Sequence, residues 1–432
     1  MFKRRKPYFY REKSRAGFYI SAVLVAVITT GIWLLQYPQV QQMLGWRFDT
    51  VWTAVRTVIK PIGDQPTPAA AAPTLAPFYL PPTPTTALAV QPTAAAIEST
   101  TIPPTPAPVV TPTPLPDRVQ LPAPAYERQD WNNCGPAALA MALKIFGWEG
   151  DQYTIAKVIK PERADRNVNI DELAGYVANQ AGEYRSIFRV NGSVDQAKML
   201  IAAGFPVMIE ASMLLEENFW YNDDRWSGHY LLLTGYNDGD QTFFTQDAFL
   251  GPNRQVSYSQ IDQDWISFNR VFMLIYPADR EGEIAGLLGE DWNPDINRQR
   301  ALQKAQAETE ADPRNVFAWF NLGSNLTYFE RYDEAVQAYD QARQMNLPQR
   351  MLRYQFGPFL AYFHSGRNDD LLAMTEYALS VTPNSEEALL WRGWAQYRAG
   401  DRNDALANFQ KALDARPDYG DAQYAYSYVV QN

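Results

Sequence analysis

The side chain best suited to nucleophilic chemistry is the thiol of Cys134, the only cysteine among 432 residues. It stands in the segment NNCGP and is followed by a run rich in alanine and leucine. Proline is favoured in the first turn of a helix, so this pattern predicts a helix over 137–146 that begins beside the thiol. The free N–H groups of a helix start lower a thiol pKa and favour a nucleophilic thiolate. The alternative is that Cys134 is only a small buried apolar side chain.

A nucleophile needs a general base, and the region after Cys134 contains one histidine, His229, before the C-terminal repeats. A strand-like run follows His229, and a second such run ends in Asp247. The sequence Asn-Asp-Gly-Asp at 237–240 predicts a turn that would place His229 and Asp247 side by side on paired strands. An aspartate that accepts a hydrogen bond from the imidazole would fix its tautomer and stabilise the imidazolium.

Gln129 precedes Cys134 closely enough to donate its side-chain amide, together with the Cys134 N–H, to an oxyanion. Taken alone, Gln129 is equally a surface polar residue and Asp247 equally a turn-forming residue. A single cysteine excludes a disulfide framework and a cysteine-rich metal centre. With only two histidines in the chain, few ligands remain for a metal centre built from histidines. We therefore predict no cofactor and no metal site.

Taken in order, Gln129, Cys134, His229 and Asp247 resemble the papain-like cysteine peptidase family thirty-nine, which includes the double-glycine leader peptidases of bacteriocin exporters. The resemblance covers about residues 124–278 and rests on NCGPAALAM around Cys134, on GHY around His229 and on Asp247. It implies an α+β papain-like domain, to which we assign residues 124–280. It also implies that Cys134 is the nucleophile, His229 the general base, Asp247 the orienting acid and Gln129 the oxyanion-hole donor.

Two features depart from the family. Ala248 follows Asp247 where the family usually has proline, and neither an ATP-binding cassette nor a multi-span membrane domain accompanies the domain. Bacteriocin export and specificity for leader peptides are therefore not expected. The aromatic and acidic segment 214–227 is either a lid that contacts substrate or a loop that packs over the sheet.

The N-terminal region reads as an anchor. Residues 1–15 form a basic tail, and residues 16–37 carry no charge and are mostly apolar. About twenty apolar residues span a bilayer as a helix, and the basic flank belongs in the cytoplasm. We predict a single transmembrane helix over 16–37 with an extracytoplasmic C-terminal part; a cleaved signal peptide is the alternative. Residues 38–60 predict a juxtamembrane amphipathic helix, either lying on the membrane or without a special role.

Residues 61–123 are rich in proline, threonine and alanine, with few charges. This composition is typical of extended, solvated backbone that does not pack. As polyproline the segment would reach about 200 Å. The composition therefore predicts a linker that gives reach between the anchor and the folded part.

Residues 290–432 repeat with a period near 35. The period is marked by prolines that close successive units: Pro313, Pro348, Pro383 and Pro417. This pattern resembles the tetratricopeptide repeat, an all-α stack that binds peptides or proteins. The segment before Pro313 predicts the second helix of a half repeat, and residues from Tyr419 predict a closing helix. We predict a protein partner for this domain; the alternative is that it only caps the peptidase-like domain.

The net charge of −10 is unevenly distributed, with +8 on residues 1–60 and −16 on residues 126–432. So acidic a folded part is a poor candidate for binding nucleic acid. Together these features predict a cell-membrane, membrane-anchored extracytoplasmic cysteine peptidase-like hydrolase that acts on a peptide or protein. The alternatives are a catalytically silent binding or scaffold protein, and acyl transfer to an amine by the same triad.

Overall fold

The structure is a computed structural model of the chain and divides into two compact units, Met1–Pro61 and Ile62–Asn432. It describes residues 23, 25, 26, 29–31, 33, 51, 55–69, 114–160, 168–218 and 223–432. None of the helices in this described part is both long and apolar enough to cross a membrane. The basic tail 1–15 and most of the predicted transmembrane segment 16–37 lie outside the described residues, so the anchor stays a prediction.

Residues 118–288 alternate helices and strands, as the α+β prediction requires. We number the elements from the start of the Ile62–Asn432 unit. The strands are β1 Arg118–Gln120, β2 Tyr184–Arg189, β3 Val207–Leu214, β4 Trp226–Asn237, β5 Thr242–Asp247, β6 Gly251–Ser257 and β7 Phe272–Pro277. The helices are α1 Cys134–Ile145, α2 Gln152–Ile159, α3 Ile170–Gln180, α4 Val194–Ala202, α5 Tyr258–Trp265 and α6 Glu281–Leu288.

The strands form one seven-stranded antiparallel sheet in the order β2-β7-β3-β4-β5-β6. Strand β1 pairs with the last residues of β4, with Val119 opposite Tyr236. This strand lies within the segment 61–123 that the sequence analysis assigns to the linker. The chain therefore joins the sheet before residue 124, because main-chain pairing needs no apolar side-chain pattern and a polar, proline-flanked segment can supply it.

Both faces of the sheet are covered, because neighbouring residues of a strand point to opposite faces. Met208, Tyr230 and Met273 pack with the apolar sides of α1, α2 and α3. Their strand neighbours Ile209 and Phe272 pack with α4, α5 and α6. The domain thus has three layers, and α1, which begins at Cys134, lies against the centre of the sheet.

Residues 294–432 are helical, as the period of 35 predicts. The helices are α7 Pro294–Ala311, α8 Val316–Tyr328, α9 Tyr332–Gln344, α10 Gly357–His364, α11 Asn368–Val381, α12 Glu386–Arg398, α13 Arg402–Ala415 and α14 Gly420–Gln431. Each repeat proline follows the end of a second helix of a pair. Helix α7 supplies the predicted half repeat and α14 the predicted closing helix. A short 3-10 helix, Met351–Arg353, precedes α10.

Small residues at equivalent positions let the paired helices pack closely. A Cβ atom at Gly323 would lie 2.7 Å from the ring of Tyr339, and one at Gly393 would lie 2.4 Å from the ring of Phe409. Each separation is shorter than side-chain carbons tolerate. The first helix of each of these pairs therefore needs glycine where the aromatic ring of the second helix crosses it.

Candidate functional site

The predicted hairpin brings His229 and Asp247 together. Strand β4 carries His229 and the adjacent strand β5 ends in Asp247, with Leu231 opposite Asp247 in the register. The His229 Nε2 atom lies 2.8 Å from the Asp247 Oδ1 atom, and both side chains are buried. With Nε2 bound to the carboxylate, the other ring nitrogen, Nδ1, is left for the thiol.

The carboxylate of Asp247 is held by the turn that follows it. Its Oδ1 atom also accepts hydrogen bonds from the backbone N–H groups of Phe249 and Leu250, at 2.8 and 2.9 Å. Burial raises the pKa of Asp247, but the hydrogen bond and charge of His229 and these two N–H groups outweigh it, so the pKa is lowered. Ala248 is fully buried in the core. The turn thus holds an ionised Asp247 without the proline that the family usually has there.

Cys134 is the first residue of α1, with Asn133 as the N-cap, and is partly exposed. Burial raises the pKa of its thiol, but the hydrogen bond and charge of His229, the backbone of Tyr230 and the charge of Lys160 lower it below the ordinary value. Burial likewise lowers the pKa of His229, whereas Asp247 and Cys134 raise it well above the ordinary range. These opposite shifts favour a thiolate–imidazolium pair at neutral pH.

Gln129 lies at the Asp247 end of the site. Its backbone N–H donates to the Ala248 carbonyl at 2.9 Å, which ties the segment before Cys134 to the turn after Asp247. Its side-chain oxygen is buried and has no hydrogen-bond partner among the described residues. The structure therefore brings Gln129 to the site through its backbone, and the oxyanion role of its amide stays a prediction.

The loop between Gln129 and Cys134 is organised by Gln152, a residue that the sequence analysis missed. Gln152 is buried, and its side-chain oxygen accepts from the Asp130 N–H and from the Asn133 side chain, both at 2.8 Å. Its side-chain nitrogen donates to the Arg128 carbonyl at 2.8 Å. One amide therefore fixes three points of the loop. Only the position of Gln152 at the start of α2 could have suggested this role.

A second missed residue is Lys160, which is buried beside the same loop. Its ammonium group donates to the carbonyls of Trp131 and Asn132 at 3.1 and 3.0 Å. This places a positive charge near Cys134, where it lowers the pKa of the thiol. Lys160 therefore supports both the shape and the charge of the site.

The repeat helices touch the chain segments that carry both Cys134 and His229. Arg353 donates from Nη2 to the Asn132 Oδ1 atom at 3.0 Å, and the Tyr354 hydroxyl lies 3.0 Å from the Ser227 hydroxyl. A Cβ atom at Gly228 would lie 3.2 Å from the Tyr354 ring, so glycine permits this close approach next to His229.

The segment 214–227 also meets the repeats. Arg350 pairs with Asp223 and donates to the Trp226 carbonyl, and the Gln349 N–H donates to Asp224 at 2.8 Å. Residues 219–222 lie outside the described residues. The described end of this segment therefore packs against the repeat helices, a surface that the sequence analysis did not consider for it.

A buried acid, Glu210, lies opposite Tyr230 on the neighbouring strand β3. Burial raises the pKa of Glu210 well above its ordinary value, the hydrogen bond from Tyr230 partly offsets this, and the negative charges of Cys134 and Asp171 raise it further. The folded state therefore holds this proton at pH values where the unfolded state releases it. Below about pH 4.3, the pKa of Glu210 in the unfolded chain, both states hold the proton and the free energy of unfolding is at its full value. It then falls as pH rises through the raised pKa of the folded state.

Replacing Glu210 with glutamine removes this titration. The glutamine side chain keeps the shape of the protonated acid, and its amide can still donate a hydrogen bond. We expect Glu210→Gln to melt at a higher temperature than the parent chain at pH 8 and at nearly the same temperature at pH 4. The exposed acid Glu217 supplies the matched control, because Glu217→Gln changes the same charge without burial. An equal shift for both variants at pH 8 would show that Glu210 is ionised in the fold.

Comparison with known proteins supports both segments. Residues 120–273 match the Peptidase_C39 like family. Residues 387–419 match the tetratricopeptide repeat. Together these matches confirm the resemblance that the motifs indicated, a family thirty-nine peptidase-like domain followed by tetratricopeptide repeats. No curated protein matches the chain significantly.

Solved structures with similar parts include a C39-like peptidase from Bacillus anthracis. The two sequences are 16% identical, and the match covers 36% of this chain and 91% of that chain, with a TM-score of 0.26. The MamA protein is 14% identical and covers 35% of this chain and 82% of its own, with a TM-score of 0.29. A MamA double mutant is also 14% identical and covers 35% and 90%, with a TM-score of 0.27. These TM-scores are too low to add to the family matches.

Within the described residues, no cluster of three or more histidine, cysteine, aspartate and glutamate side chains is arranged to hold a metal ion. The groups that the site brings together are a thiol, an imidazole, a carboxylate and an amide. Their arrangement, with an acid on one side of the imidazole and a thiol at a helix start on the other, suits nucleophilic attack on a carbonyl carbon.

Proposed function

We propose that the chain is a thiol hydrolase of the cysteine peptidase type, in which Cys134, His229 and Asp247 act as nucleophile, general base and orienting acid. The observation that carries the proposal is the 2.8 Å contact between His229 Nε2 and Asp247 Oδ1. It leaves Nδ1 of the same ring for the Cys134 thiol. A buried histidine held only for packing needs no ionised partner, whereas a base that becomes imidazolium does.

In the proposed reaction the Cys134 thiolate attacks the carbonyl carbon of an amide, and the C–N bond breaks after a tetrahedral intermediate. The His229 imidazolium gives its proton to the leaving nitrogen, which departs as an amine. The product is a thioester on Cys134. Water then attacks the thioester while His229 takes one of its protons, which releases the carboxylic acid and restores the thiolate–imidazolium pair.

The negative charge of the tetrahedral intermediate needs donors at the helix start. The Cys134 backbone N–H at the beginning of α1 is one, and we propose the Gln129 side-chain amide as the other. Gln152 and Lys160 hold the loop between these two donors through the contacts described above. They are positioning residues in this proposal, since no atom of theirs needs to touch the substrate.

We further propose that the N-terminal segment 16–37 anchors the chain in the cell membrane, with residues 1–15 in the cytoplasm and the folded unit outside. The support is the uncharged apolar composition of 16–37 beside a basic tail. The folded unit then meets extracytoplasmic peptides or proteins as substrates. The repeat helices, whose type binds proteins, are proposed to contribute a partner or substrate contact.

The hydrolase proposal predicts turnover through a thioester on Cys134. With p-nitrophenyl acetate as the probe, we expect the full chain to release several equivalents of p-nitrophenol per chain and to show a transient acetyl group on Cys134 by mass spectrometry. Cys134→Ala is expected to release none above background, and Asp240→Asn, a change in the exposed turn of the same hairpin, is expected to behave as the parent chain.

Release that stops at one equivalent would point to a reactive thiol without hydrolysis and would contradict the proposal. Adding a primary amine to the same assay separates the transfer reaction from hydrolysis. Acetylated amine formed in preference to acetate at millimolar amine would assign acyl transfer instead. Release that is unchanged in Cys134→Ala would remove Cys134 from the reaction.

A further inference from the structure

The first residues of the proline-rich segment lie on the repeat helices. Ile62 is 9% exposed and belongs to the same apolar cluster as Leu347 and Met351 of the repeat region. Gln65 donates from its side chain to the Pro348 carbonyl at 2.9 Å. Residues 61–69 form neither helix nor strand. A segment whose composition predicts solvated coil thus carries one buried apolar side chain and a specific polar contact.

Three buried charged residues bind the backbone of this segment. Arg343 donates from Nη2 to the Pro66 carbonyl at 2.7 Å, and the Ala69 N–H donates to the Asp370 Oδ1 atom at 3.0 Å. Arg367 donates to the Ala69 carbonyl at 3.4 Å. Arginine and aspartate that point at main-chain groups recognise extended backbone, and the burial of Ile62 in the apolar cluster adds a side-chain preference.

The charged residues are also bound to one another. Arg343 pairs with Asp370 at 3.0 Å and donates to the Tyr362 hydroxyl at 2.8 Å, while Arg367 pairs with Asp370 at 2.8 Å. Their side chains are nearly fully buried. Each of them has a partner within the repeats, and these pairs orient the groups that face the segment. The repeats therefore carry a site already shaped for an extended chain, at the junction of α9, α10 and α11.

The far end of the proline-rich segment is attached to the same folded unit. The Tyr236 hydroxyl donates to the Pro116 carbonyl at 2.8 Å, the Asp238 N–H donates to the Asp117 carbonyl at 2.8 Å, and β1 follows at once. Both described ends, 62–69 and 116–120, are thus held by the Ile62–Asn432 unit.

We propose that residues 62–69 are a strap that occupies, within the same chain, a docking site for extended proline-containing backbone formed by Arg343, Arg367 and Asp370. Both described ends of the linker then belong to one unit, so the linker does not act as the spacer that its composition predicts. Pro66 and Pro68 restrict the strap to extended backbone, which lowers the entropy lost on docking. The covalent connection through 70–113 gives the strap an effective concentration near millimolar, which favours it over a second copy.

The test cuts the chain between the strap and β1 and measures whether the strap stays bound to the repeats. A site for a specific protease is inserted after Thr93 of the full chain, which is kept in mild detergent and carries a tag at its N-terminus. After cleavage, the tagged fragment is expected to retain the 94–432 fragment on the affinity resin. Ile62→Asp is expected to weaken retention about tenfold or more, because it places a charge where an apolar side chain is buried.

The matched control is Ile59→Asp, which introduces the same charge at a side chain that is 76% exposed; its retention should equal that of the parent chain. Both substitutions lie outside the repeats, so the helical circular dichroism of the repeat domain should be unchanged. Release of the 94–432 fragment from the parent chain at once, or full retention by Ile62→Asp, would overturn the proposal. A dimer of the uncut parent chain that Ile62→Asp converts to monomer would assign the strap to a second copy and would overturn the assignment within one chain.

Discussion

Replacing His229 with alanine is expected to reduce alkylation of Cys134 at pH 6 by about 10- to 100-fold. In the parent chain the imidazole lowers the pKa of the thiol, so a larger fraction of the thiol is ionised at this pH than in an unperturbed cysteine. Without the imidazole, burial remains and raises the pKa. A thiol with an ordinary pKa near 8.5 is only about 0.3% ionised at pH 6. The loss in alkylation rate is smaller than the loss in ionised fraction, because a thiolate of higher pKa is the better nucleophile.

The measurement is the rate of iodoacetamide modification of the full chain between pH 5 and 10, followed by mass spectrometry. Because Cys134 is the only cysteine, every cysteine adduct reports on it. His364→Ala removes the second histidine of the chain, in helix α10 of the repeats, and should leave the pH profile unchanged. Asp247→Asn should lie between the parent and His229→Ala, since it weakens the imidazolium without removing the ring. A His229→Ala profile that coincides with the parent would end the catalytic interpretation.

Replacing Arg350 with methionine is expected to reduce the free energy of unfolding by about 3–5 kcal/mol. Arg350 is 1% exposed, and its partner, the Asp223 side chain, is fully buried at 2.5 Å from its Nη2 atom. Removing the guanidinium leaves a buried carboxylate without its counter-charge. It also frees the carbonyl of Trp226, three residues before His229. The repeats and the strand that carries His229 should therefore loosen together.

Urea unfolding of the full chain in mild detergent, followed by tryptophan fluorescence, measures this loss. Arg331→Met is the matched control, because Arg331 pairs with Glu334 on the surface, with side chains 41% and 55% exposed. Such an exposed pair contributes about 0–1 kcal/mol. The double variant Arg350→Met with Asp223→Leu should recover most of the loss, since no charge is then left buried. Equal losses for Arg350→Met and Arg331→Met would contradict a coupled interface between the repeats and the peptidase-like domain.

The local patterns of the chain predicted much of the site. Proline two residues after Cys134 predicted a helix start there, and the helix begins at Cys134 itself. The turn residues at 237–240 and the two apolar runs predicted the hairpin that pairs His229 with Asp247. These predictions succeed because helix starts and tight turns depend on backbone preferences of neighbouring residues. The period of 35 predicted the helix pairs of the repeats for the same reason.

Contacts between distant segments were not predictable in this way. Gln152 organises the loop before Cys134 across a separation of about twenty residues, and nothing in its neighbours marks it. Arg353 and Tyr354 reach the two segments that carry the candidate catalytic residues from a repeat that the periodicity treats as a separate domain. The prolines near Pro66 predicted solvated coil, because composition does not report that Arg343 binds their backbone.

The sequence by itself determined the identity and the order of the groups able to do chemistry, and the α+β domain followed by helical repeats. Residue type sets the chemistry of a side chain, and local spacing sets its helix or strand. The tertiary structure decided which distant segments meet: the repeats with the segments before Cys134 and His229, and the start of the linker with Arg343 and Asp370. These contacts depend on packing and on the pairing of buried charges, which only the folded chain provides.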